Sequence, residues 1–511
     1  LLLVRALLRQ GFFLLGCWLA LTAVPAHAEP TPHLTVLATD PYWLRLLRAD
    51  SATPLQTLDA TLNAFAAPDT GPDNSHALCL YPARAHWLRQ QRPDLAAHWP
   101  QARCPQYESW LHDLNPGRVT LVYASDFAGN PSSLFGHTLL RIDAENQRND
   151  LLAYAINFSA DSGGTGGLSY ALQGMTGKFP GSFSLLPYYD KVREYNDLES
   201  RDLWQYELNL SPDESRQMAR VYWDWRAQKT AYYFLRENCS YELLGLLDAT
   251  RPGLNLQARF RGAVVPTDTV RAILAANLVT TISWRASANT RLDAQIARNS
   301  ADVNAAVKKS LRERNLIAIR ALTAQEQAQA LETAHDAQYR RFNTDQRSDY
   351  GPWFRSLLVA RSQLPLQEQR PQPPTPATRP DQSHFTARWG TGYLHEPDSD
   401  ALLLHYRPAY HDLLDDPAGN RPGSRVSVLD TTLRLSADQG LSLERFVLLA
   451  VDTFTPVDAL TTPLSWSVLL GGERHLSDDK NPRWHTQPSL EASTGLTYAV
   501  SSNAYCHGQI A

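Results

Sequence analysis

Between Pro365 and Pro380 six prolines fall within sixteen residues, and no other stretch limits the fold so firmly. Proline fixes φ and lacks an N–H donor, so this stretch can continue neither a helix nor a central strand. It reads as a stiff linker between two differently patterned regions. After it the apolar period becomes two. Leu429, Thr431, Leu433 and Leu435 alternate with Asp430, Thr432, Arg434 and Ser436, and Leu490, Ala492, Thr494, Leu496, Tyr498 and Val500 repeat the pattern. From about residue 385 onward we expect antiparallel strands, which fit a soluble sheet or an incomplete outer-membrane barrel.

At 511 residues the chain exceeds what one hydrophobic core usually serves. Residues 1–28 carry Arg5 and Arg9, an uncharged apolar run from Gly11 to Val24, and Ala26-His27-Ala28, which is the pattern of a secretory signal peptide. Leu14-Leu15-Gly16-Cys17 offers a lipoprotein site as the lesser alternative. Residues 29–115 read as a helical domain, 116–262 as a strand-rich catalytic domain, 263–364 as a helical region, 365–382 as the linker and 383–511 as the β region. The fold class is therefore α+β. Ser211-Pro212-Asp213-Glu214 marks the start of a helix expected to reach about Lys229, and helical patterns run from Thr267 to about Gln363. Seven glycines between Gly163 and Gly181 predict a mobile loop.

Lys and Arg number 48 against 52 Asp and Glu, so no strong field gathers nucleic acid, and none is expected as a partner. Cys79 and Cys104 lie in one short helical-looking segment of an exported chain, where a disulfide is the natural reading. Closing that loop contributes about 3 kcal/mol. Cys239 has no obvious partner and invites a functional explanation. It follows Asn238 at a helix start, with Leu243, Leu244, Leu246 and Leu247 as the apolar face. Free amides and the helix dipole there favour a thiolate, and the same amides can hold an oxyanion.

A thiol nucleophile needs a base. His137 heads a buried strand pattern, Thr138 to Ile142, directly after Gly136. Asn157 on the neighbouring strand pattern could orient its ring, with Ser133, Asp143 and Ser159 as competitors. Asn238, Ser240 and Ser133 are the expected oxyanion or support residues. No Gly-x-Ser-x-Gly elbow or His-Glu-x-x-His motif occurs, and His384, His395, His405 and His411 are irregularly spaced, so no metal or cofactor is expected.

A His heading a strand, followed about 100 residues later by Asn-Cys at a helix start, resembles the circularly permuted papain-like fold of NlpC-type and lecithin:retinol acyltransferase-type families. More closely, Ser132 to His137, Gly174 to Tyr189, Tyr195 to Tyr206 and Glu237-Asn238-Cys239-Ser240-Tyr241 resemble the Lnb family of bacterial lipoprotein N-acyltransferases. The resemblance covers roughly residues 115–260. It implies acyl transfer from phospholipid, through a thioester on Cys239, to the α-amine of a lipoprotein's N-terminal cysteine. It also implies membrane association and a place in the periplasm or outer membrane of a Gram-negative bacterium. Two other classes use the same residues differently: a papain-like peptidoglycan peptidase or amidase, and a non-catalytic envelope assembly protein with Cys239 as a packed thiol.

Overall fold

The computed structural model describes residues 32–48, 53–127, 133–164, 167–345, 351–395, 400–421, 423–476, 484–501 and 504–510. The expected signal peptide lies outside the described residues. Helices and antiparallel sheets are both extensive, so the chain is α+β. No helix among the described residues is long and apolar enough to cross a membrane.

The first sheet contains β1 (Pro116–Ala124), β2 (His137–Ala144), β3 (Tyr154–Ala160), β4 (Phe179–Pro187), β5 (Leu203–Leu208), β6 (Thr230–Tyr232) and β7 (Val279–Arg285). Its order is β6-β4-β3-β2-β1-β5-β7, with every neighbouring pair antiparallel. The central strands β1, β2 and β3 are largely buried, with apolar residues such as Val119, Leu121, Leu140, Ile142, Ile156 and Phe158 in the core beside a few buried polar groups. Two helices pack on this sheet, Pro212–Trp225 against β1 and Cys239–Thr250 against β2 and β3. Ser211 and Glu214 close the first of these with a reciprocal capping box. In the second, Leu243, Leu244, Leu246 and Leu247 are all within 1% of full burial, each side chain contributing about 1.5–3 kcal/mol by its removal from water.

Several expectations need correction here. The helix from Pro212 ends at Trp225 rather than near Lys229, because Thr230–Tyr232 leaves to pair with β4. The glycine-rich stretch is not one open loop: it contains a helix, Gly167–Met175, and the start of β4. Gly174, Gly177 and Gly181 serve close packing, since a Cβ on each would meet the Phe234, Tyr233 and Phe158 rings at 2.2, 2.2 and 2.5 Å, while Gly163 and Gly164 stand in open space. The supposed helical run after Thr267 is broken by β7, whose Val279, Thr280, Thr281 and Ile282 suit a strand, and β7 pairs with β5. The first sheet therefore extends past residue 262.

The N-terminal helices share one continuous core with the sheet rather than forming a core of their own. Trp43 stacks on Trp87 at 5.5 Å, and Tyr42 Oη donates to the Ala249 carbonyl at 2.6 Å. Cys79 and Cys104 are bonded, with Cα atoms 5.2 Å apart. Helices Ala288–Arg298, Ala301–Glu313, Ala324–Asp345 and Gly351–Ser362 surround a separate core that includes Leu292, Val303, Val307 and Leu331. Past the linker, the second sheet is built from β8 (Arg388–Leu394), β9 (Ala401–Arg407), β10 (Ala409–His411), β11 (Ser424–Ser436), β12 (Gly440–Thr453), β13 (Ser465–Leu476), β14 (Trp484–Ser501) and β15 (Ala504–Ile510). It runs β15-β14-β13-β12-β11-β9-β8, with β10 also on β11, and among the described residues its two end strands do not pair with each other.

Candidate active site

Cys239 is the first residue of its helix. Asn238 precedes it with extended backbone, and its Oδ1 accepts from the Tyr241 amide at 3.2 Å. The same oxygen accepts from Ser240 Oγ at 2.8 Å, while Asn238 Nδ2 donates to the carbonyls of Phe234 and Val264 at 3.0 and 2.7 Å. Asn238 and Ser240 thus lock the turn that presents the thiol. Both Asn238 amide protons are engaged by carbonyls, so its side chain is a support and not an oxyanion donor.

His137 is the first residue of β2 and lies opposite Ala124 of β1. The glycine before it is required: Gly136 has φ of +87°, and a Cβ there would lie 2.5 Å from the Tyr123 ring. The Ser133 carbonyl accepts from the amides of Gly136 and Phe127 at 3.1 and 2.9 Å, which shapes the turn into the strand. Asn157 Oδ1 lies 2.6 Å from His137 Nε2, and a carbonyl oxygen can only accept, so Nε2 carries the proton. Nδ1 is left to face the thiol. Asp143 sits instead at the far end of β2 in an ion pair with Arg141 at 3.1 Å. Tyr195 packs its ring 5.4 Å from the imidazole, and the Arg201 guanidinium lies over that same Tyr195 ring at 5.0 Å.

The Cys239 side chain is 3% exposed. Burial alone would push its thiol up, but the charge and hydrogen bond of His137, the Thr138 amide and the Tyr232 hydroxyl outweigh that, and the thiol is lowered to about 7. His137 moves the other way. Burial would depress it, yet Cys239 and the Asn157 hydrogen bond hold the imidazole above its ordinary value. The two shifts describe one thing, a thiolate and an imidazolium stabilising each other in a site shielded from water.

Tyr232 was not singled out from the sequence. Its hydroxyl accepts from the Cys239 amide at 3.4 Å and also contacts the sulfur. Burial and the neighbouring thiolate raise the phenol well above its usual range, so it stays a protonated donor. The Tyr232 hydroxyl and the Thr138 amide, both bonded to the sulfur, and the Cys239 amide, whose long bond to Tyr232 is readily exchanged, are donors beside the thiol that can hold an oxyanion. The arrangement can perform nucleophilic acyl transfer or hydrolysis: thiolate, proton-carrying ring, ring orienter and oxyanion donors are all present.

Away from this centre, His384, His411 and Asp415 come together although their spacing gave no hint of it, with 2.7 Å between the two imidazoles. Asp415 is already ion-paired with Arg407 at 2.6 Å, and it accepts from Arg388 at 2.9 Å and from the Asp412 amide at 2.9 Å. Two guanidinium groups on the single carboxylate oppose a cation, and we assign no metal there.

In comparisons with known proteins, residues 106–276 match the family model described as the Lnb N-terminal periplasmic domain, which supports an Lnb-type assignment for that segment. The match contains His137, Asn157, Tyr232 and Cys239. Residues 49–91, 282–373 and 377–511 match three families described as domains of unknown function. Neither the curated proteins nor the solved structures gave a match.

Proposed function

We propose that the chain is a periplasmic cysteine acyltransferase that moves an acyl chain from a phospholipid to the N-terminal amine of a lipoprotein. The carrying observation is the chain of contacts Cys239–His137–Asn157, within a segment matched by the Lnb periplasmic domain. His137 on a strand ahead of Cys239 on a helix is also the order of a circularly permuted papain-like core, and we read the catalytic unit that way. The phospholipid donor and the membrane association are parts of the same proposal.

In the first half-reaction the Cys239 thiol gives its proton to His137 Nδ1 and the sulfur attacks the ester carbonyl. The oxyanion is held by the Cys239 amide and the Tyr232 hydroxyl. Collapse breaks the ester C–O bond, and the imidazolium protonates the departing lysophospholipid oxygen. A thioester remains on Cys239, with His137 neutral again. In the second half-reaction a neutral α-amine attacks the thioester, His137 takes the amine proton, and the C–S bond breaks to return the thiolate. Asn157 holds the ring so that Nδ1 serves both steps.

The test supplies phospholipid labelled in one acyl chain and a diacylated lipopeptide. The expected products are labelled N-acyl peptide and lysophospholipid in equal amounts, with none from Cys239→Ala. Free labelled fatty acid without labelled peptide would instead mark a phospholipid hydrolase. Release of peptides from cell-wall fragments with no use of lipid would favour a peptidoglycan peptidase.

A further inference from the structure

The second sheet carries its polarity inverted for a sheet in water. Register through β8, β9, β11 and β12 defines three cross-strand rows, from Trp389 to Phe446, from Thr391 to Leu443 and from Tyr393 to Leu441. These rows hold only aromatic residues, leucine and threonine. Yet they are the open side: Trp389 is 77% exposed, Tyr393 69% and Leu441 64%. The alternate positions face inward and, beside Leu394, Ala401 and Leu403, include charged and polar side chains. Arg407 and Arg434 are buried, and His405 pairs with Asp430 at 2.7 Å. A sheet with one face in water normally does the reverse, since burying arginine is costly and exposing leucine forgoes stabilisation.

We propose that this face lies against the hydrocarbon of a lipid bilayer. Three observations select lipid over a protein partner. First, each apolar row runs unbroken across four neighbouring strands, about 14 Å of sheet, which is a broad face rather than a groove for one peptide. Second, exposed apolar side chains are not confined to one patch but recur on β14 at Leu490, Tyr498 and Val500. Third, the row from Trp389 through Tyr406 to Phe446 is aromatic while the next two are mainly leucine, the layering of an interfacial belt beside a hydrocarbon band. The belt is at the right end. Just beyond it on β11, Val426 and Val428 join Tyr410 and Val451 in an apolar cluster with Leu134 and Phe135, which lead into His137, with Leu235, four residues before Cys239, and with Val265. The aromatic row therefore marks headgroup level, with the leucine rows in the membrane and the catalytic unit on the aqueous side. The membrane placement stands on the sheet alone; that it presents Cys239 to a lipid ester rests on the acyl-transfer reading.

The full chain is tested by flotation with phosphatidylethanolamine–phosphatidylglycerol vesicles in high salt, which removes weak electrostatic binding. The wild type should float with the vesicles. Leu404→Arg with Leu435→Arg should reduce the floated fraction about tenfold or more, because charge on a lipid-facing strand is strongly disfavoured. Ile317→Arg, at an exposed leucine-like position of the helical region, should float unchanged. A second readout does not depend on the folding of the double variant. Vesicles with brominated acyl chains should quench wild-type fluorescence more than that of Trp389→Phe. A wild-type chain that stays with the soluble fraction, or equal quenching in the two proteins, would overturn the placement. So would a soluble dimer that Leu404→Arg and Leu435→Arg dissociate, since the face would then belong to a second copy. None of these readouts requires turnover, so they separate this inference from the reaction.

Discussion

At the scale of single residues, the thiol is set by opposing effects that can be pulled apart. Burial raises the Cys239 thiol and its neighbours lower it to about 7, below the ordinary thiol range. The rate of alkylation by iodoacetamide should therefore rise through a midpoint near 7. His137→Ala removes the largest lowering effect and leaves the burial, so the midpoint should climb above that of a free thiol. An unchanged midpoint would mean that the imidazole does not stabilise the thiolate. Tyr232→Phe removes one donor to the sulfur and one neighbour of the oxyanion. Acyl transfer should fall about tenfold to a hundredfold, the worth of a hydrogen bond to a charged group, and the alkylation midpoint should move up. A lower rate with an unmoved midpoint would restrict Tyr232 to the oxyanion. His137 and Cys239 could be read from the sequence because each sits at an element boundary with its own local signal, a glycine before the strand and an asparagine cap before the helix. Tyr232 had no such signal. It reaches the sulfur from a short edge strand, and only the pairing of β6 with β4 brings it there.

At the scale of elements, the catalytic helix is held from outside the segment that carries the chemistry. Arg48, from the N-terminal helices, makes a nearly buried ion pair with Glu242 in the first turns of the Cys239 helix, at 2.7 Å. Its guanidinium also lies over the rings of Phe183, Trp225 and Phe158 at 4.8, 5.2 and 5.3 Å. Arg48→Met should cost about 3–5 kcal/mol in chemical denaturation, because it strands the Glu242 carboxylate in a dry site. Adding Glu242→Leu should recover most of that loss. If the single variant is as stable as the wild type, the pair does not anchor the helix. This coupling explains why the helical stretch 29–115 was legible as helical and yet wrongly bounded as a unit. Periodicity reports which face of a helix is apolar, not which core receives it. The same limit hid β7, a β-branched run between two well-signalled helices, and made a packed glycine segment look like an open loop.

At the scale of the whole molecule, the period-two pattern past the proline linker announced strands, and strands are present. Which side of them faces water was not legible, because alternation has the same form whether the apolar set points inward or outward. Register and burial together decide it: Arg407 and Arg434 lie inside, Trp389 and Leu441 outside. The linker end is fastened to the catalytic unit by Tyr206 Oη of β5 donating to Asp381 at 2.5 Å and by Arg271 of the helix Pro266–Ala275 donating to the Asp381 and His384 carbonyls at 2.9 Å each. Catalytic unit and apolar sheet are thus joined directly, and the central claim is that the first delivers chemistry to lipid through a covalent step on one sulfur. The most direct measurement is the mass of the protein after incubation with phospholipid and no acceptor peptide. We predict one added acyl chain, confined to the peptide containing Cys239, removed by neutral hydroxylamine, and absent from Cys239→Ser at neutral hydroxylamine-labile positions. No adduct on wild-type protein, while labelled peptide still forms when acceptor is supplied to Cys239→Ala, would contradict the account.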